Sequence, residues 1–219
     1  PATGKLDLAN ADIVHDLASP DPRSAIGFIV RALAGRMRAG TAAFTVLSCD
    51  NLPQNGQLLR GLVLEFAGLV DPELRNWIED QARFPCTMVD RITPATTAED
   101  IVRITQITGW YDAAPVVHEP FAQWVIEDAF VEDARPNLAA AGVQFVADVS
   151  THEEMKLRML NGTHSALAYT GYLAGYDTIS QTVADPILDR FVRDLWDEII
   201  PSVVAPEGID LDVYATSLL

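Results

Sequence analysis

The sequence predicts an α/β domain followed by an all-α domain. Up to about residue 148, helical patterns alternate with short runs of β-branched and aromatic residues, which is typical of a layered α/β structure. From Ser150 onward the spacing of apolar residues is helical only. With 219 residues the chain is long enough for two small domains, and we place them at 1–148 and 149–219.

The first elements follow from turn and capping residues. Residues 1–20 are polar and predicted to be irregular. Asp21-Pro22 predicts the N-cap and the first turn of a helix that ends near Gly40. The β-branched and aromatic run at 43–48 predicts a buried parallel strand. A polar loop rich in turn-forming residues follows it and starts at Cys49.

The remaining elements follow from the periodicity of apolar residues. In the first domain this periodicity predicts helices at 57–70, 72–82 and 97–108, and extended segments at 86–89, 115–117, 121–126 and 143–146. In the second domain it predicts helices at 151–173, 179–184, 186–199 and 211–218. Thr151 and Glu154 have the spacing of a capping box at the start of that domain.

The composition argues against several classes of partner. Thirty-one acidic residues against fifteen basic ones give a net charge of −16, whereas nucleic acids and anionic membranes bind clustered Lys and Arg. No apolar run free of charge reaches the ~18 residues that span a bilayer. Cys49 and Cys86 do not suggest a disulfide framework. We therefore expect a cytoplasmic protein with reduced thiols that acts on a small molecule.

The segment 156–164 places an amine, an amide and an imidazole close together. In an α-helix, Lys156, Asn161 and His164 lie at relative angles of roughly 0°, 140° and 80°. A base, an oxyanion donor and an orienting hydrogen-bond partner are what a metal-free alcohol-to-ketone oxidoreductase needs. The alternatives are a solvated lysine and a helix break at Asn161-Gly162. Spacing alone does not choose between these interpretations.

Two further polar residues follow predicted strands of the first domain. Asn51 lies just beyond 43–48, and ligands of α/β sheets bind beyond the carboxyl ends of strands. A second amide at this edge would complete a two-donor oxyanion site with Asn161. Asp90, in Asp90-Arg91, follows the next strand in an equivalent position, with an internal salt bridge as the alternative. Asp50 and Asn55 are more simply explained as turn and helix-cap residues.

Several chemistries have no support in the sequence. The four histidines and two cysteines lack the spacing of a zinc site, so we expect no metal. Neither a nucleophile elbow nor a phosphate-binding P-loop is present. The dinucleotide fingerprint Gly-x-Gly-x-x-Gly is absent as well.

Four motifs, in order, resemble the polyol-specific long-chain dehydrogenases, which include mannitol 2-dehydrogenase and fructuronate reductase (D-mannonate oxidoreductase). The motifs are SCDNLPQNG at 48–56, FPCTMVDRITP at 84–94, EPFAQWVIED at 119–128 and EMKLRMLNGTHSALAY at 154–169. The similarity extends over nearly the whole chain. It implies the later part of a Rossmann-like cofactor domain (1–148) plus the start of a helical substrate domain (149–219).

The resemblance implies a role for each candidate residue. Lys156 would be the general acid/base, and Asn51 and Asn161 would polarise the substrate carbonyl or hold the alkoxide-like oxygen. His164 would bind a neighbouring substrate hydroxyl.

The remaining two residues are supporting ones by the same resemblance. Asp90 matches a position near the active site, and Glu153 matches an acidic position that assists proton exchange beside the catalytic lysine. Hydride would pass between NAD and the substrate without a metal, and the choice between NAD and NADP stays open.

The resemblance leaves the substrate and the activity of this chain open. A sugar acid such as fructuronate or mannonate is the leading substrate, with mannitol and fructose as the alternative. From a different class, the chain is a truncated, non-catalytic binding or assembly module. Because the sequence resembles an internal segment of the family, we expect weak NAD binding by the isolated chain and self-association of the fragment.

Overall fold

The computed structural model describes residues 4–218. These residues form two compact units that divide between Ala147 and Asp148, and each unit is described by itself.

The first unit combines helices with a small mixed sheet. Its α-helices are α1 (Ala11–Ala18), α2 (Ala25–Arg38), α3 (Asn55–Val70), α4 (Pro72–Gln81) and α5 (Ala98–Thr108). Its strands are β1 (Thr87–Asp90), β2 (Gln123–Glu127) and β3 (Gln144–Val146), in the spatial order β1-β2-β3. β1 and β2 are antiparallel, and β2 and β3 are parallel. The α/β class predicted for this part of the chain is therefore confirmed.

The core of the first unit forms where α2, α3 and α4 pack together. In α3 the buried apolar residues Leu62, Val63, Phe66 and Ala67 recur at three- and four-residue spacing, which places them on one face of the helix. Val63 and Phe66 are fully buried. This packing fixes the first turn of α3, which directly follows a polar loop that spans 48–54 in the structure.

The N-terminal segment is more regular than the sequence predicted. Asn10 caps α1, because its side-chain oxygen accepts hydrogen bonds from the N–H groups of Asp12 (3.0 Å) and Ile13 (3.3 Å). The prediction of an irregular segment at 1–20 is therefore wrong for α1. Residues 1–3 lie outside the described part of the chain.

The start of α2 also differs from the prediction, because Ser24 and not Asp21 is its N-cap. The buried Asp16 carboxylate accepts hydrogen bonds from the N–H groups of Arg23 (2.7 Å) and Ser24 (2.8 Å) and from the Ser24 hydroxyl (2.6 Å). Burial alone would raise the pKa of Asp16, but these hydrogen bonds outweigh it and hold the pKa below the ordinary carboxyl value. Asp16 thus fixes the position at which α2 begins.

The strand predicted at 43–48 is present only as an isolated parallel bridge between Thr45 and Arg83. The Val46 N–H donates to the Arg83 carbonyl at 2.9 Å. Further along, the Ser48 carbonyl is bound by side chains, since the Thr87 hydroxyl donates to it at 2.5 Å. Side-chain bonds thus replace the backbone ladder that would have continued the strand.

The other extended segments are reproduced with one exception. The predictions at 86–89, 121–126 and 143–146 correspond to β1, β2 and β3, with ends shifted by a few residues. Pro115 belongs to no strand, and its carbonyl accepts the Thr96 hydroxyl at 2.6 Å. Proline has no N–H to donate to a ladder, which accounts for the absence of a strand there.

All regular secondary structure in the described residues of the second unit is helical. Its helices are α6 (Ser150–Met155), a π-helix (Lys156–Asn161), α7 (Gly162–Ala174), α8 (Ile179–Val183), α9 (Pro186–Ile199) and α10 (Leu211–Ser217). Its core contains Met155, Met159, Leu167, Val192 and Trp196. The Gly171 backbone of α7 approaches Thr182 so closely that a Cβ would lie 2.0 Å from the Thr182 hydroxyl oxygen, so a glycine is needed at this contact.

The capping box predicted for Thr151 and Glu154 is not formed. The N-cap position of α6 is Val149, two residues earlier than predicted. Asp148 binds the start of the helix, because its carboxylate accepts the Ser150 N–H (2.8 Å) and the Ser150 hydroxyl (2.6 Å). Thr151 consequently lies inside the first turn.

Over residues 4–218, none of the helices combines the length and the apolar character that a membrane crossing requires.

Candidate active site

The loop at 48–54 presents Asn51 at an edge of the first unit. The Thr45–Arg83 bridge is parallel, so the extended segments that lead to Ser48 and to Asp90 run in the same direction. Their carboxyl ends therefore lie at the same edge, where ligands bind in α/β sheets. Asn51 is exposed and Asp90 is half-buried.

The backbone of this loop is strained at its last residue. Gln54 has a φ of 51°, in the left-handed region, which costs roughly 1–2 kcal/mol for a residue other than glycine. The Leu52 N–H donates to the Asp50 carbonyl at 2.8 Å, so the loop also contains a tight internal turn. Such strained conformations persist only where the surroundings impose them.

The side chains of Asn55 and Thr87 bind the first part of this loop. Asn55 is 1 % exposed, and its Nδ2 lies 3.2 Å from the Ser48 carbonyl oxygen and 2.9 Å from that of Asp50. The same Nδ2 lies 3.0 Å from the Thr87 carbonyl oxygen, and the Thr87 N–H donates to Asn55 Oδ1 at 2.9 Å. Asn55 is thus no helix cap, in contrast to the sequence interpretation.

In the second unit, Lys156 and Asn161 are the first and last residues of the π-helix. The Gly162 N–H binds the carbonyl of Leu157, five residues earlier, so this turn contains one residue more than an α-helical turn. Residues five apart therefore stack over one another, and Asn161 lies closer to the face of Lys156 than α-helical geometry predicts. His164 follows Asn161 by three residues in α7, a spacing that keeps both on one face.

Burial differs sharply among these three side chains. Lys156 is only 7 % exposed, whereas Asn161 is half-buried and His164 is exposed. Side chains in helices lean toward the N-terminus, and the turn that precedes Lys156 contains the half-buried Glu153. A buried lysine that shares a helix face with a half-buried amide and an exposed imidazole can transfer a proton to a ligand bound on this face.

Contacts on both sides hold the π-helix in place. Trp196 Nε1 donates to the buried Thr163 hydroxyl at 2.7 Å. Thr163 lies between Asn161 and His164 in the sequence. Arg158 forms an ion pair with Glu154 at 2.9 Å and donates to the Ser202 carbonyl at 2.9 Å. The Arg158 charge is therefore engaged on the outer surface of the unit.

His152 is a residue that sequence reasoning did not select. It is 4 % exposed, and burial lowers the pKa of its imidazole. Its Nδ1 has no hydrogen-bond partner among the described residues. The signal available in the sequence was its position four residues before Lys156, which is one turn away on the same helix face.

No group of three or more His, Cys, Asp or Glu within residues 4–218 is arranged to hold a metal ion. Cys49 is exposed and Cys86 is buried, and both are free thiols. The pKa of Cys49 is raised mainly by burial and to a smaller extent by the negative charge of Asp50. A raised pKa opposes the use of this thiol as a nucleophile.

The sequence matches two family profiles, one for each part of the chain. Residues 7–140 match the mannitol dehydrogenase Rossmann domain, and residues 148–219 match the mannitol dehydrogenase C-terminal domain.

Similar proteins include relatives named as oxidoreductases and dehydrogenases. The chain is 52 % identical to the D-mannonate oxidoreductase of Escherichia coli over 220 residues, covering all of this chain and 45 % of that protein. It is 42 % identical to the mannitol 2-dehydrogenase of Aspergillus terreus, covering 99 % of this chain and 44 % of that protein. The chain therefore spans less than half the length of the curated relatives it matches.

Two solved structures share its fold. A substrate-free D-sorbitol dehydrogenase superposes with a TM-score of 0.91 at 44 % identity, covering 99 % of this chain and 45 % of the other. The mannitol 2-dehydrogenase of Pseudomonas fluorescens, in a ternary complex with NAD and D-mannitol, gives a TM-score of 0.78 at 46 % identity. That match covers 96 % of this chain and 43 % of the other.

Proposed function

The chain belongs to the mannitol dehydrogenase family, and we propose that it forms part of a metal-free oxidoreductase. This enzyme interconverts a sugar-derived secondary alcohol and its ketone with NAD(H). The observation that carries this proposal is the π-helix, which combines the buried Lys156 amine with Asn161 and His164 on one helix face. The two matched domains and the named dehydrogenases among the relatives support it.

Lys156 is the proposed general acid/base. In alcohol oxidation its neutral amine takes the proton from the substrate hydroxyl oxygen, and the C–H electron pair leaves the same carbon as hydride while the C=O bond forms. In ketone reduction the Lys156 ammonium returns the proton to the oxygen. Lys156 is only 7 % exposed, which supports a role in a ligand site rather than as a solvated surface lysine.

The amide side chains bind the reacting oxygen in this proposal. Asn161 donates an N–H to the oxygen as negative charge develops on it, which stabilises the transition state. Asn51 is the amide donor that we propose for the first unit. His164 orients the substrate through a neighbouring hydroxyl. Asp90 supports the edge that carries Asn51, and Glu153 exchanges the proton of Lys156 with solvent.

Asn51 and Asp90 fit the nicotinamide part of the proposed cofactor. Asn51 and Asp90 lie at the carboxyl edge of parallel segments, where a nicotinamide ring binds in related folds. NAD, when bound, would accept or supply the hydride at this edge. The sequence contains no Gly-x-Gly-x-x-Gly turn, so we assign no residue here to the pyrophosphate, nor do we choose between NAD and NADP.

The proposed substrate is a hexuronate, fructuronate or mannonate. The identity of 52 % to a D-mannonate oxidoreductase, against 42 % to a mannitol 2-dehydrogenase, favours it. The alternative is mannitol and fructose, which the 46 % identity to a mannitol 2-dehydrogenase of known structure favours. Turnover of fructuronate and of fructose with NADH, by the longest natural form of the enzyme, distinguishes the two.

The test of the mechanism is Lys156→Ala in that same form. Loss of a general acid/base lowers turnover by roughly 10²- to 10⁴-fold, so we expect kcat to fall by that order at neutral pH. The matched control is Arg158→Ala, two residues away on the same π-helix, whose contacts with Glu154 and Ser202 point outward. Unchanged turnover in Lys156→Ala would refute the central role of this residue.

A further inference from the structure

The buried side chain of Asn55 connects three separate parts of the first unit. Its Nδ2 contacts the Ser48 and Asp50 carbonyl oxygens in the loop, and the Thr87 carbonyl and hydroxyl oxygens at the start of β1. Its Oδ1 accepts the Thr87 N–H at 2.9 Å. The distances from Nδ2 range from 2.9 to 3.2 Å, so its two hydrogens are shared among several acceptors.

Thr87 closes the network from the other side. Its hydroxyl donates to the Ser48 carbonyl at 2.5 Å, and Thr87 itself is 2 % exposed. We call the interactions of Asn55 and Thr87 with the loop the Asn55–Thr87 bridge. The bridge binds the carbonyl groups of Ser48 and Asp50. Asn51 directly follows Asp50 in the sequence.

Gly56 allows this bridge to form. A Cβ on Gly56 would lie 2.4 Å from the Phe84 carbonyl oxygen and 2.5 Å from that of Pro85, distances that real side chains do not tolerate. The first turn of α3 therefore packs directly on the backbone that leads into β1. Only a glycine at this position brings Asn55 within reach of Thr87.

Helix capping does not explain the burial of Asn55. The N-cap position of α3 is Gln54, and no side chain caps the helix there. All the contacts of the Asn55 amide described above are made outside α3. A buried amide is costly unless it is fully hydrogen-bonded, and here its bonds are directed at the loop that carries Asn51.

We propose that Asn55, Gly56 and Thr87 are positioning residues, which fix the loop at 48–54 so that the Asn51 amide is held where the reacting oxygen binds. This inference rests on the proposed function, because it assigns the Asn55–Thr87 bridge to the oxyanion donor of the same reaction. A displacement of such a donor by about 1 Å lowers the rate by up to ~100-fold.

The first experiment follows hydrogen exchange of the loop and needs no catalysis. In the 219-residue chain, Thr87→Val removes the hydroxyl bond to Ser48 with little change of shape, and Gly56→Ala forces α3 away from Phe84 and Pro85. We expect faster amide exchange at 49–54 in both variants, by about 10-fold or more. The matched control is Gly61→Ala in the same helix, where a Cβ meets nothing within 4 Å, and it should leave the loop unchanged.

The second experiment measures kcat and KM in the longest natural form of the enzyme. Thr87→Val should lower kcat by roughly 10-fold with little change in KM, whereas the same substitution in an Asn51→Ala background should lower kcat no further. A purely structural role of Thr87 would give equal losses in both backgrounds.

The outcomes separate this inference from the proposed function. Unchanged loop exchange in Thr87→Val and Gly56→Ala overturns the bridge as a positioning device. This inference alone is overturned if Asn51→Ala causes a large loss of kcat while Thr87→Val lowers kcat equally in both backgrounds. The same holds if Thr87→Val leaves kcat unchanged in both. Full turnover in Asn51→Ala overturns the proposed role of Asn51 and the inference together.

Discussion

At the scale of single residues, the burial of His152 has a direct consequence for stability. Burial disfavours the charged imidazole, so the pKa of His152 in the folded chain lies below its ordinary value of 6.5. Below about pH 6.5 the unfolded chain therefore binds a proton that the folded chain does not. The free energy of unfolding of the second unit should decrease as the pH falls from 6.5, and this residue contributes no slope above that pH.

Hydrogen exchange of core amides in α7 and α9 at pH 5.5 and 7.5, corrected for intrinsic exchange rates, measures this effect. We expect His152→Leu to remove much of the difference between the two pH values. His164→Leu is the control, because His164 belongs to the same unit and is exposed. An undiminished pH dependence in His152→Leu would show that other groups are responsible.

The hydrogen bond between Trp196 and Thr163 is the second feature at residue scale. Both residues are buried, at 4 % and 3 % exposure, so removal of one partner leaves a buried polar group unsatisfied. Such a loss costs about 1–3 kcal/mol, whereas replacement of both partners by apolar groups is nearly neutral.

We therefore expect Thr163→Val to destabilise the second unit by about 1–3 kcal/mol, and Trp196→Phe with Thr163→Val to cost less than the sum of the two single changes. Urea unfolding, followed by far-ultraviolet circular dichroism, provides the three values. Strict additivity would mean that the bond contributes no coupling energy.

The sequence indicated several polar residues of the candidate site, but it did not indicate what positions them. Lys156, Asn161 and Asn51 stand out because polar residues interrupt apolar patterns or follow strands. Asn55 was interpreted as a cap, because its partner Thr87 is 32 residues away and no local pattern indicates such a contact. Local sequence patterns thus select candidate residues by type, but they do not indicate long-range hydrogen bonds.

At the scale of elements, the π-helix changes the geometry of the candidate site. Because its turn contains one additional residue, side chains five residues apart share a face, as side chains four residues apart do in an α-helix. The sequence showed only a poor helical pair, Asn161-Gly162, and this signal does not distinguish a break from a wide turn. Asp16 gives a similar case in the first unit, because the boundary of α2 depends on a carboxylate in the preceding helix.

The wide turn leads to a prediction about deletions. Removal of the exposed Leu157 from the π-helix should produce a regular α-helix, in which Lys156 precedes the asparagine by four residues and still shares its face. The variant should fold with helical content and melting temperature close to those of the parent chain.

Removal of the exposed Tyr169 from the regular helix α7 is the control, because it turns all later residues of that helix by roughly 100° and displaces Gly171 from Thr182. It should cause a clear loss of melting temperature. If the Leu157 deletion were as harmful as the Tyr169 deletion, the π-turn would not be the tolerant point that its geometry indicates.

At the scale of the whole molecule, charge and exposed apolar surface oppose each other. The net charge of −16 disfavours association between copies of the chain. Tyr169, Tyr172 and Leu173, at 74 %, 80 % and 84 % exposure, form an exposed apolar stripe at the spacing of one face of α7. Contiguous exposed apolar surface favours self-association.

We therefore expect the 219-residue chain to associate weakly at low ionic strength and more strongly in about 0.5 M salt, where charge repulsion is screened within a few ångströms. Sedimentation velocity at both salt concentrations measures this dependence. Tyr172→Ser combined with Leu173→Ser should shift the chain toward monomer, whereas Val204→Ser, at another exposed apolar position, should not. Salt weakens association by electrostatic attraction, whereas it should strengthen apolar association of this highly charged chain. A decrease of association in salt, or a monomer under both conditions, would therefore contradict the prediction that this stripe mediates association.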